Sequence, residues 1–387
     1  MRDKRPSELR PATLAAQSLG RISAPFHDVV PPIHVSTTYE RAVDLSYPGG
    51  RGYARDQNPT FEQVEALLCQ LERGAGALVF ASGMAAATAA FMALKPGDHV
   101  VAPRVMYWSL RKWLLEFAVP WGLAVDFYDN SAEDQRAELV RCARAGATKL
   151  VWLETPANPT WAVTDIAMAA EVAHKVGARL AIDSTVATPV FSRPIEFGAD
   201  LVMHSATKYL NGHTDVVAGA LVSARDDAYW SRIKYLRLAN GAILGPVETW
   251  LLLRGMRTLF ARVEMQARSA LAIATHFAQH PNLVAVLYPG LPGDPGYVAA
   301  RRQMKGGFGA MLSIRVKGGE AAAIRCAGAL KVFKRATSLG GVESLVEHRA
   351  SVEGPDSPCP PDLLRISIGL EAVEDLIADL EQALAAN

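Results

Sequence analysis

The sequence predicts an α/β protein, with a mostly parallel seven-stranded sheet in a large domain and a smaller α+β domain after it. Two observations support this fold class. Short apolar runs bounded by Gly, Asp or Pro have the composition of strands that are buried on both faces. Longer stretches with helical spacing separate several of these runs, as in a sheet whose parallel strands are joined by helices. The seven runs are Ala77–Phe80, His99–Ala102, Ala124–Tyr128, Leu150–Leu153, Leu180–Ile182, Leu201–Met203 and Ala220–Val222.

The beginning of the chain differs from this pattern. Residues 1–50 are rich in Pro, Ser and Gly and have little helical periodicity, so we expect an extended arm. Helical spacing of apolar residues starts near Thr60, which resembles a capping-box residue, and continues to Leu71. Asp165–Val176 is a further predicted helix within the α/β region.

A second region follows a long apolar helical stretch, Pro246 to Gln279. Its predicted strands are Met311–Val316 and Leu364–Ile368, and its predicted helices are Glu320–Leu330 and Glu371–Leu384. Residues 352–362 contain four prolines and are predicted to be a loop. A chain of 387 residues is too long for one compact core. We therefore expect an arm over residues 1–59, an α/β domain over 60–245 and an α+β domain over 246–387.

Composition narrows the class of function. Lys and Arg number 40 against 39 Asp and Glu, a net charge of +1 that offers no electrostatic footprint for nucleic acid or anionic membranes. The four cysteines form no C-x-x-C pair, so we expect reduced thiols, no metal site and a cytoplasmic location. The charged N-terminus lacks the apolar segment of a signal peptide. No stretch reaches the roughly 20 uninterrupted apolar residues that span a bilayer.

A lysine follows one of the predicted strands. Leu201–Met203 leads into Ser205-Ala206-Thr207-Lys208. A lysine at the carboxyl end of a buried strand is partly desolvated, which lowers its pKa and exposes a nucleophilic amine. Ser205 and Thr207 can donate hydrogen bonds to a phosphate beside it. A surface lysine after a strand would give the same local pattern, so the neighbouring motifs must decide.

Two other strands also end in polar residues. Asp183 follows Leu180–Ile182, where it is either a helix cap or the acid that the ring nitrogen of pyridoxal phosphate (PLP) requires. Ser82-Gly83-Met84 follows Ala77–Phe80, and this strand–turn–helix geometry can bind an anion at a helix N-terminus. A plain tight connection between strand and helix would give the same sequence.

Taken together, these segments resemble the Cys/Met-metabolism (transsulfuration) family of PLP enzymes. This family contains cystathionine γ-synthases, cystathionine β- and γ-lyases, methionine γ-lyases and O-acylhomoserine sulfhydrylases. The resemblance extends from about Pro31 to the C-terminus and rests on seven motifs in order. They are Tyr53-Ala54-Arg55 with Asn58-Pro59-Thr60, Ser82-Gly83-Met84, Glu154-Thr155-Pro156-Ala157-Asn158-Pro159, Asp183-Ser184-Thr185, Ser205-Ala206-Thr207-Lys208, Ser338-Leu339-Gly340-Gly341-Val342-Glu343-Ser344 and Arg365-Ile366-Ser367-Ile368-Gly369-Leu370-Glu371.

The resemblance implies the fold of the fold-type I PLP-dependent transferases, with PLP held by Lys208 as a Schiff base. Asp183 would pair with the pyridine nitrogen, and Tyr107 would stack on the ring and assist proton transfer. Within the subunit, the phosphate would be bound by Gly83, Met84, Ser205 and Thr207. From the neighbouring subunit, it would be bound by Tyr53 and Arg55. A homotetramer built as a dimer of dimers is implied as well, with the arm packed on a partner and the active sites shared across each dimer.

The resemblance also implies a substrate site. Arg365, Asn158 and the backbone of Ser338 would receive the substrate carboxylate. Thr337 stands where cystathionine γ-lyases and γ-synthases often have a glutamate that engages the distal amino group of cystathionine. Threonine offers only a neutral hydrogen bond there, which weakens the case for cystathionine itself.

Two other departures from the family pattern bear on the substrate. Trp108 and Ser109 follow Tyr107, whereas many members have small residues there and methionine γ-lyases typically have cysteine at the Ser109 position. Trp108 either lines the substrate mouth or packs against the following helix with Trp113. In addition, residues 349–354 read Arg-Ala-Ser-Val-Glu-Gly instead of the family's usual Pro-Ala-Ser-Met-Thr-His. We therefore expect a remodelled rim of the active site.

The resulting hypothesis is PLP-dependent β- or γ-elimination from a sulfur-containing or related amino acid, as in cystathionine lyases. One alternative is a γ-replacement enzyme, either a cystathionine γ-synthase or an O-acylhomoserine sulfhydrylase. Another is a γ-lyase for a non-sulfur leaving group, such as the oxyguanidine of canavanine. The intact Lys208, Asp183 and Arg55 argue against a non-catalytic assembly protein, and the Ser338–Ser344 motif argues against an aminotransferase.

Overall fold

The structure is a computed structural model that describes residues 9–22, 25–354 and 357–385. Its strands are β1 Gly76–Phe80, β2 His99–Pro103, β3 Ala124–Tyr128, β4 Thr148–Glu154, β5 Arg179–Asp183, β6 Leu201–His204, β7 Gly219–Ser223, β8 Leu283–Leu287, β9 Met311–Val316, β10 Lys334–Arg335, β11 Leu345–His348 and β12 Leu363–Ser367. Its helices are α1 Pro11–Ala16, α2 Pro59–Glu72, α3 Gly83–Met92, α4 Trp108–Trp113, α5 Val119–Trp121, α6 Gln135–Cys142, α7 Ile166–Lys175, α8 Thr188–Phe191, α9 Ala228–Ala239, α10 Pro246–Met256, α11 Leu259–Phe277, α12 Tyr297–Gln303, α13 Gly319–Ala329, α14 Arg349–Glu353 and α15 Val373–Ala385.

The seven predicted apolar runs form one sheet. Its order is β1-β7-β6-β5-β4-β2-β3, and only β7 is antiparallel to its neighbours. One apolar cluster, with side chains from α3 and α9, covers one face, and a second, with side chains from α6 and α7, covers the other. The predicted α/β class and mostly parallel sheet are confirmed.

Burial on both faces holds for the inner strands, and for the last three residues of the edge strand β1, but not for the other edge strand, β3. Every residue of β2, β6 and β7 is buried, because helices cover both faces of the sheet there. Strand β3 lies at the edge, and only its last residue, Tyr128, is buried. For β3 the prediction of a strand is confirmed, and the prediction of burial on both faces is wrong.

The start of α2 lies slightly earlier than predicted. Asn58, not Thr60, is the capping residue, and its Oδ1 accepts a hydrogen bond from the Thr60 amide at 2.8 Å. Pro59 then occupies the first turn, where no amide is needed. The Thr60 hydroxyl instead accepts a hydrogen bond from the backbone amide of His34, which ties the preceding segment to this helix.

The predicted arm is only partly extended. Pro11–Ala16 is the helix α1, whose Leu14 and Ala15 are buried in the main apolar cluster. Residues 1–8 of the arm lie outside the described residues. The apolar stretch from Pro246 is broken at Arg257 and Thr258 into α10 and α11. The proline-rich loop starts at Gly354, because residues 352 and 353 belong to α14, and its Pro355 also lies outside the described residues.

A second sheet has the order β10-β11-β12-β9-β8 and is mostly antiparallel. It packs with α13 and α15 in the same large apolar cluster that includes α10 and α11. The Trp161 indole donates to Ser313 Oγ at 2.8 Å and so connects the loop after β4 to β9. Within the described residues, no helix combines the length and the apolar character needed to cross a membrane.

Candidate active site

A cavity of about 270 Å³ lies at the carboxyl edge of the seven-stranded sheet, facing the second sheet. Strands β1, β4, β5 and β6 run in the same direction, so the segments that follow them meet at one edge. Eleven of the fourteen residues predicted to bind the cofactor or the substrate line this cavity. They are Gly83, Met84, Tyr107, Asn158, Asp183, Ser205, Thr207, Lys208, Thr337, Ser338 and Arg365.

Lys208 projects into the cavity from the turn after β6. Its amine donates a hydrogen bond of 2.7 Å to the Ser338 hydroxyl, 130 residues away in sequence. Burial, followed by the positive charge of Arg365, lowers the pKa of the Lys208 amine to about 8. A larger fraction of this amine is therefore neutral near pH 7 than for an ordinary lysine, which is the state that attacks a carbonyl.

Ser338 contacts a second charged group. Its carbonyl accepts a hydrogen bond from Arg365 at 2.9 Å, while its backbone has a φ of 99°, a region that residues other than glycine rarely adopt. The Ser338 carbonyl therefore orients Arg365. The predicted roles of Arg365 and of the Ser338 backbone in receiving a carboxylate stay predictions.

The predicted anion cradle, at the start of α3, lines the same cavity as Lys208. Ser82 caps α3, so the amides of Gly83 and Met84 in its first turn have no partner within the helix. A Cβ atom on Gly83 would lie 2.8 Å from Ser205 Oγ, so only glycine permits this close approach. The Thr207 hydroxyl is already bonded to the backbone, because it donates to the Ala218 carbonyl and accepts from the Ala218 amide. Its role at a phosphate stays a prediction.

Asp183 is held as a hydrogen-bond acceptor at the end of β5. Its Oδ1 accepts bonds from the Thr185 amide at 3.0 Å and the Thr185 hydroxyl at 2.5 Å. Burial raises the pKa of Asp183, and the two Thr185 bonds oppose that rise. The same Thr185 hydroxyl accepts from the Ser205 amide, which links the Asp183 segment to the Lys208 segment. Sequence reasoning assigned no role to Thr185.

Glu154 is a second residue of the cavity without a predicted role. It ends β4 as Asp183 ends β5, lines the same cavity and accepts bonds from the amides of Tyr107 at 2.7 Å and Asn158 at 2.8 Å. Burial, followed by the charge of Asp183, raises the pKa of Glu154 to about 8. Glu154 therefore fixes the backbone of two predicted site residues, and its position after a buried strand was the signal that could have identified it.

Arg365 and Asn158 meet on the side of the second sheet. Arg365 Nη1 donates to Asn158 Oδ1 at 3.3 Å, and burial lowers the pKa of Arg365 to about 10. Its other terminal nitrogen also contacts Glu347 Oε2 at 2.5 Å. Behind it, Arg349 is a further buried arginine that lines the cavity. The sequence predicted a remodelled rim at residues 349–354 but no individual role for Arg349.

The tyrosine and tryptophan of the α4 segment differ in position. Tyr107 lines the cavity and is 41% exposed, so its ring lies at the open side. Trp108 is not among the residues that line the cavity, and the Arg111 guanidinium lies 5.6 Å from its ring centre. Trp113 packs with Phe91 and Phe117. A substrate contact of Trp108 therefore stays a prediction without support from this geometry.

Tyr53 and Arg55 lie away from the cavity of their own chain. The Arg55 guanidinium is 5.5 Å from the Tyr53 ring centre, and both side chains are exposed. Tyr53 pairs with Thr38 in an isolated β-bridge. Tyr53 and Arg55 therefore belong to the segment of residues 25–57 that precedes α2, called the outer segment below. This position agrees with a contact to a neighbouring subunit but does not test it.

The donor set of the cavity fits PLP. A lysine with a lowered pKa can condense with its aldehyde, the first turn of α3 with Ser205 suits its phosphate, and buried Asp183 suits its ring nitrogen. When bound, PLP supplies an electron sink for negative charge that develops on the α-carbon of an amino acid.

Comparison with known proteins gives a consistent picture. The profile of the family described as Cys/Met metabolism PLP-dependent enzyme matches residues 12–385. The chain is 40% identical to the cystathionine γ-synthase of Mycobacterium tuberculosis (strain ATCC 25618 / H37Rv) over 380 residues, covering 97% of this chain and 96% of that protein. It is 37% identical to the cystathionine γ-lyase of Dictyostelium discoideum over 364 residues, covering 92% of each. The crystal structure of the cystathionine γ-synthase of Xanthomonas oryzae pv. oryzae in complex with cystathionine superposes with a TM-score of 0.91 at 36% identity, covering 97% of this chain and 98% of that one.

Proposed function

Since the chain belongs to the Cys/Met-metabolism family of PLP-dependent enzymes and has their fold, we propose that it removes a β- or γ-substituent from cystathionine or a related sulfur amino acid. The protein is an enzyme of PLP-dependent elimination or replacement chemistry. The substrate, the reaction outcome and the roles of individual residues are the proposed parts. The observation that carries them is the contact of Lys208 and Arg365 with the same residue, Ser338, inside one cavity.

Lys208 is the proposed base at the α-carbon. A general base works best when its pKa lies near the working pH, and the pKa of about 8 at Lys208 meets this condition. The Ser338 hydroxyl accepts a hydrogen bond from the Lys208 amine at 2.7 Å and so holds the Lys208 side chain toward the part of the cavity that Arg365 lines. An amino acid whose carboxylate binds Arg365 thereby places its α-carbon near the Lys208 amine.

Tyr107 is the proposed acid for the leaving group. Its ring lies at the open side of the cavity, and its backbone is fixed by Glu154. A substituent that leaves a substrate anchored at Arg365 moves toward this open side. Tyr107, or Lys208 after it has taken the α-proton, can then protonate the leaving sulfur.

The reaction outcome, elimination or replacement, is a separate part of the proposal. Thr337 lines the cavity with a neutral side chain, so it offers no charge to the distal ammonium of cystathionine. This weakens the case for cystathionine as the substrate and does not separate elimination from replacement. Elimination from a related sulfur amino acid is the leading proposal. Replacement on an activated homoserine is the second candidate, and the similarity to γ-synthases at 40% identity favours it. A γ-lyase for canavanine is a third candidate, and the substrate panel described below tests it.

We further propose that the active site is completed by a second subunit within a homotetramer. The exposed apolar side chains of the outer segment, among them Phe26, Val29 and Val35, support burial against another copy. Tyr53 and Arg55 belong to the same segment and would reach the partner's phosphate. A cytoplasmic location suits the four free cysteines, Cys69, Cys142, Cys326 and Cys359.

A substrate panel on the purified, PLP-loaded protein tests the proposal. L-Cystathionine alone should give pyruvate or 2-oxobutyrate if elimination dominates. O-Succinyl-L-homoserine should give cystathionine only when L-cysteine is added if replacement dominates, and L-canavanine should give homoserine if the substituent is an oxyguanidine. Lys208→Ala should abolish each of these activities. Failure to turn over any β- or γ-substituted amino acid would overturn the proposal.

A further inference from the structure

Four buried charged side chains form a continuous row behind the carboxylate side of the cavity. In order they are Glu353, Arg349, Glu347 and Arg365, with each side chain between 4% and 8% exposed. Arg349 donates to Glu353 Oε1 from Nε at 3.0 Å and from Nη2 at 2.6 Å. Its Nη1 donates to Glu347 Oε2 at 2.7 Å, and Arg365 donates to that same oxygen at 2.5 Å.

The two signs of charge are arranged in layers. Arg349 and Arg365 line the cavity, whereas neither Glu347 nor Glu353 does. An anion in the cavity therefore faces two guanidinium groups, with the two carboxylates behind them. The register of the sheet produces this arrangement, because Glu347 on β11 is the direct partner of Arg365 on β12, and α14 begins at Arg349 two residues later.

The negative charge of Glu347 weakens the attraction of Arg365 for a substrate carboxylate, and the positive charge of Arg349 can compensate it. A carboxylate 2.5 Å from Arg365 neutralises that arginine and repels an incoming substrate carboxylate. Since one Glu347 oxygen is shared between two arginines, the positive charge of Arg349 compensates it. Removal of Arg349 would leave Glu347 to pair with Arg365 alone. The residue at position 349 therefore influences how strongly Arg365 attracts an anion.

We propose that Arg349 is a positioning residue for the carboxylate site, which compensates Glu347 so that Arg365 stays available to the α-carboxylate of the substrate. The inference rests on the proposed role of Arg365 but does not depend on which substituent leaves. Arg349 and Glu353 occupy the positions where the family's usual stretch has Pro and Thr. The two residues form one pair four positions apart on α14, so this charge compensation is a property of this chain's own sequence.

The test measures ligand binding to the PLP-loaded protein rather than turnover. L-Norleucine carries an α-carboxylate and no leaving group, and pentylamine is the same molecule without the carboxyl group. Binding of either amine is followed by the absorbance of the bound cofactor. Arg349→Met should raise the Kd for L-norleucine by about tenfold, the size of one lost charge-assisted interaction, and change the Kd for pentylamine by less than about twofold.

Two further variants separate charge compensation from other roles. Glu347→Gln combined with Arg349→Met should restore the Kd for L-norleucine to within about threefold of Glu347→Gln alone, because the carboxylate that contacts Arg365 is then neutral, and Glu353 contacts Arg349 rather than Arg365. Glu353→Gln should tighten L-norleucine binding, since it frees Arg349 from its second carboxylate. This variant keeps Arg349 and so reports even where Arg349→Met does not fold.

Arg315→Met is the matched control. Arg315 forms a bidentate pair with Asp362 on the same sheet at 2.9 and 3.0 Å and does not line the cavity, so neither Kd should change. An unchanged Kd for L-norleucine in Arg349→Met would overturn the proposal, as would equal losses for both ligands. A double variant that stays weak would also overturn it and assign Arg349 a direct contact. Intact L-norleucine binding without turnover of any substrate would instead refute the proposed function alone.

Discussion

Raising the pH of the cofactor-free protein should activate Lys208 near pH 8, well below the ordinary lysine value of 10.5, because burial and Arg365 lower the pKa of its amine. The magnitude follows from the two values. At pH 7 a group with a pKa of 8 is about one-tenth neutral, whereas one with a pKa of 10.5 is about one three-thousandth neutral. At that pH the neutral, reactive fraction of Lys208 should therefore be roughly three hundred times that of an ordinary lysine, and its labelling rate should exceed the ordinary rate by up to this factor.

Pulse labelling with acetic anhydride measures this reactivity at a single residue. Samples between about pH 6 and about pH 10 are labelled briefly, and modification of Lys208 is read by peptide mass spectrometry. Two variants give opposite expected shifts. Arg365→Met removes a positive neighbour, so the midpoint should rise, and Glu347→Gln removes a negative neighbour, so it should fall.

The combination of results makes this prediction refutable. A midpoint near 10.5 in the unmodified protein would show that the cavity does not desolvate the amine. Shifts of the same sign in Arg365→Met and Glu347→Gln would show that the two charges do not act on Lys208 as their positions require.

Two other variants test the anion cradle and the second sheet. Gly83→Ala should abolish cofactor retention after desalting, because its Cβ would lie 2.8 Å from the Ser205 hydroxyl; Gly328→Ala in α13, with open space at that position, should retain the cofactor fully. Asp379→Asn should lower the free energy of unfolding in urea by about 1–3 kcal/mol, since Asp379 accepts bonds from the amides of residues 331–333. Burial raises the pKa of Asp379, but these hydrogen bonds outweigh it, so the pKa is lowered in the folded protein. The loss of free energy of unfolding in Asp379→Asn should therefore be full above the pKa of an ordinary aspartate and vanish as the pH falls through the lowered folded-state pKa. A difference that grows in acid would contradict this linkage.

The strands of the large sheet could be predicted because their environment is uniform. A strand such as β6, buried on every residue, must be apolar throughout, and this leaves a clear pattern in the sequence. Strands β8, β10 and β11 could not be found in this way. They are short or lie near a sheet edge, and β11 contains Glu347 and His348, whose burial depends on partners elsewhere in the chain.

The candidate site shows the same division. Lys208, Asp183 and the Ser82–Met84 turn follow buried strands, so the sequence placed them at one edge of the sheet. Glu154 has the corresponding position at the end of β4, so the same pattern could have identified it. The contact of Arg349 with the cavity depends on the register between β11 and β12, which pairs residues 18 positions apart, and no local pattern reports such a register.

Ser338 has a consequence for the handedness of the substrate. Its hydroxyl accepts a hydrogen bond from the proposed base, and its carbonyl accepts one from the proposed carboxylate anchor, so this residue couples the positions of the two groups. An amino acid anchored at Arg365 with its nitrogen at the cofactor has one remaining choice, which is whether hydrogen or the side chain points at Lys208. The two mirror-image forms make opposite choices, because three fixed contacts define a chiral site. Enantiomer discrimination in this protein would thus depend on how Ser338, whose backbone has a φ of 99°, places Lys208 relative to Arg365.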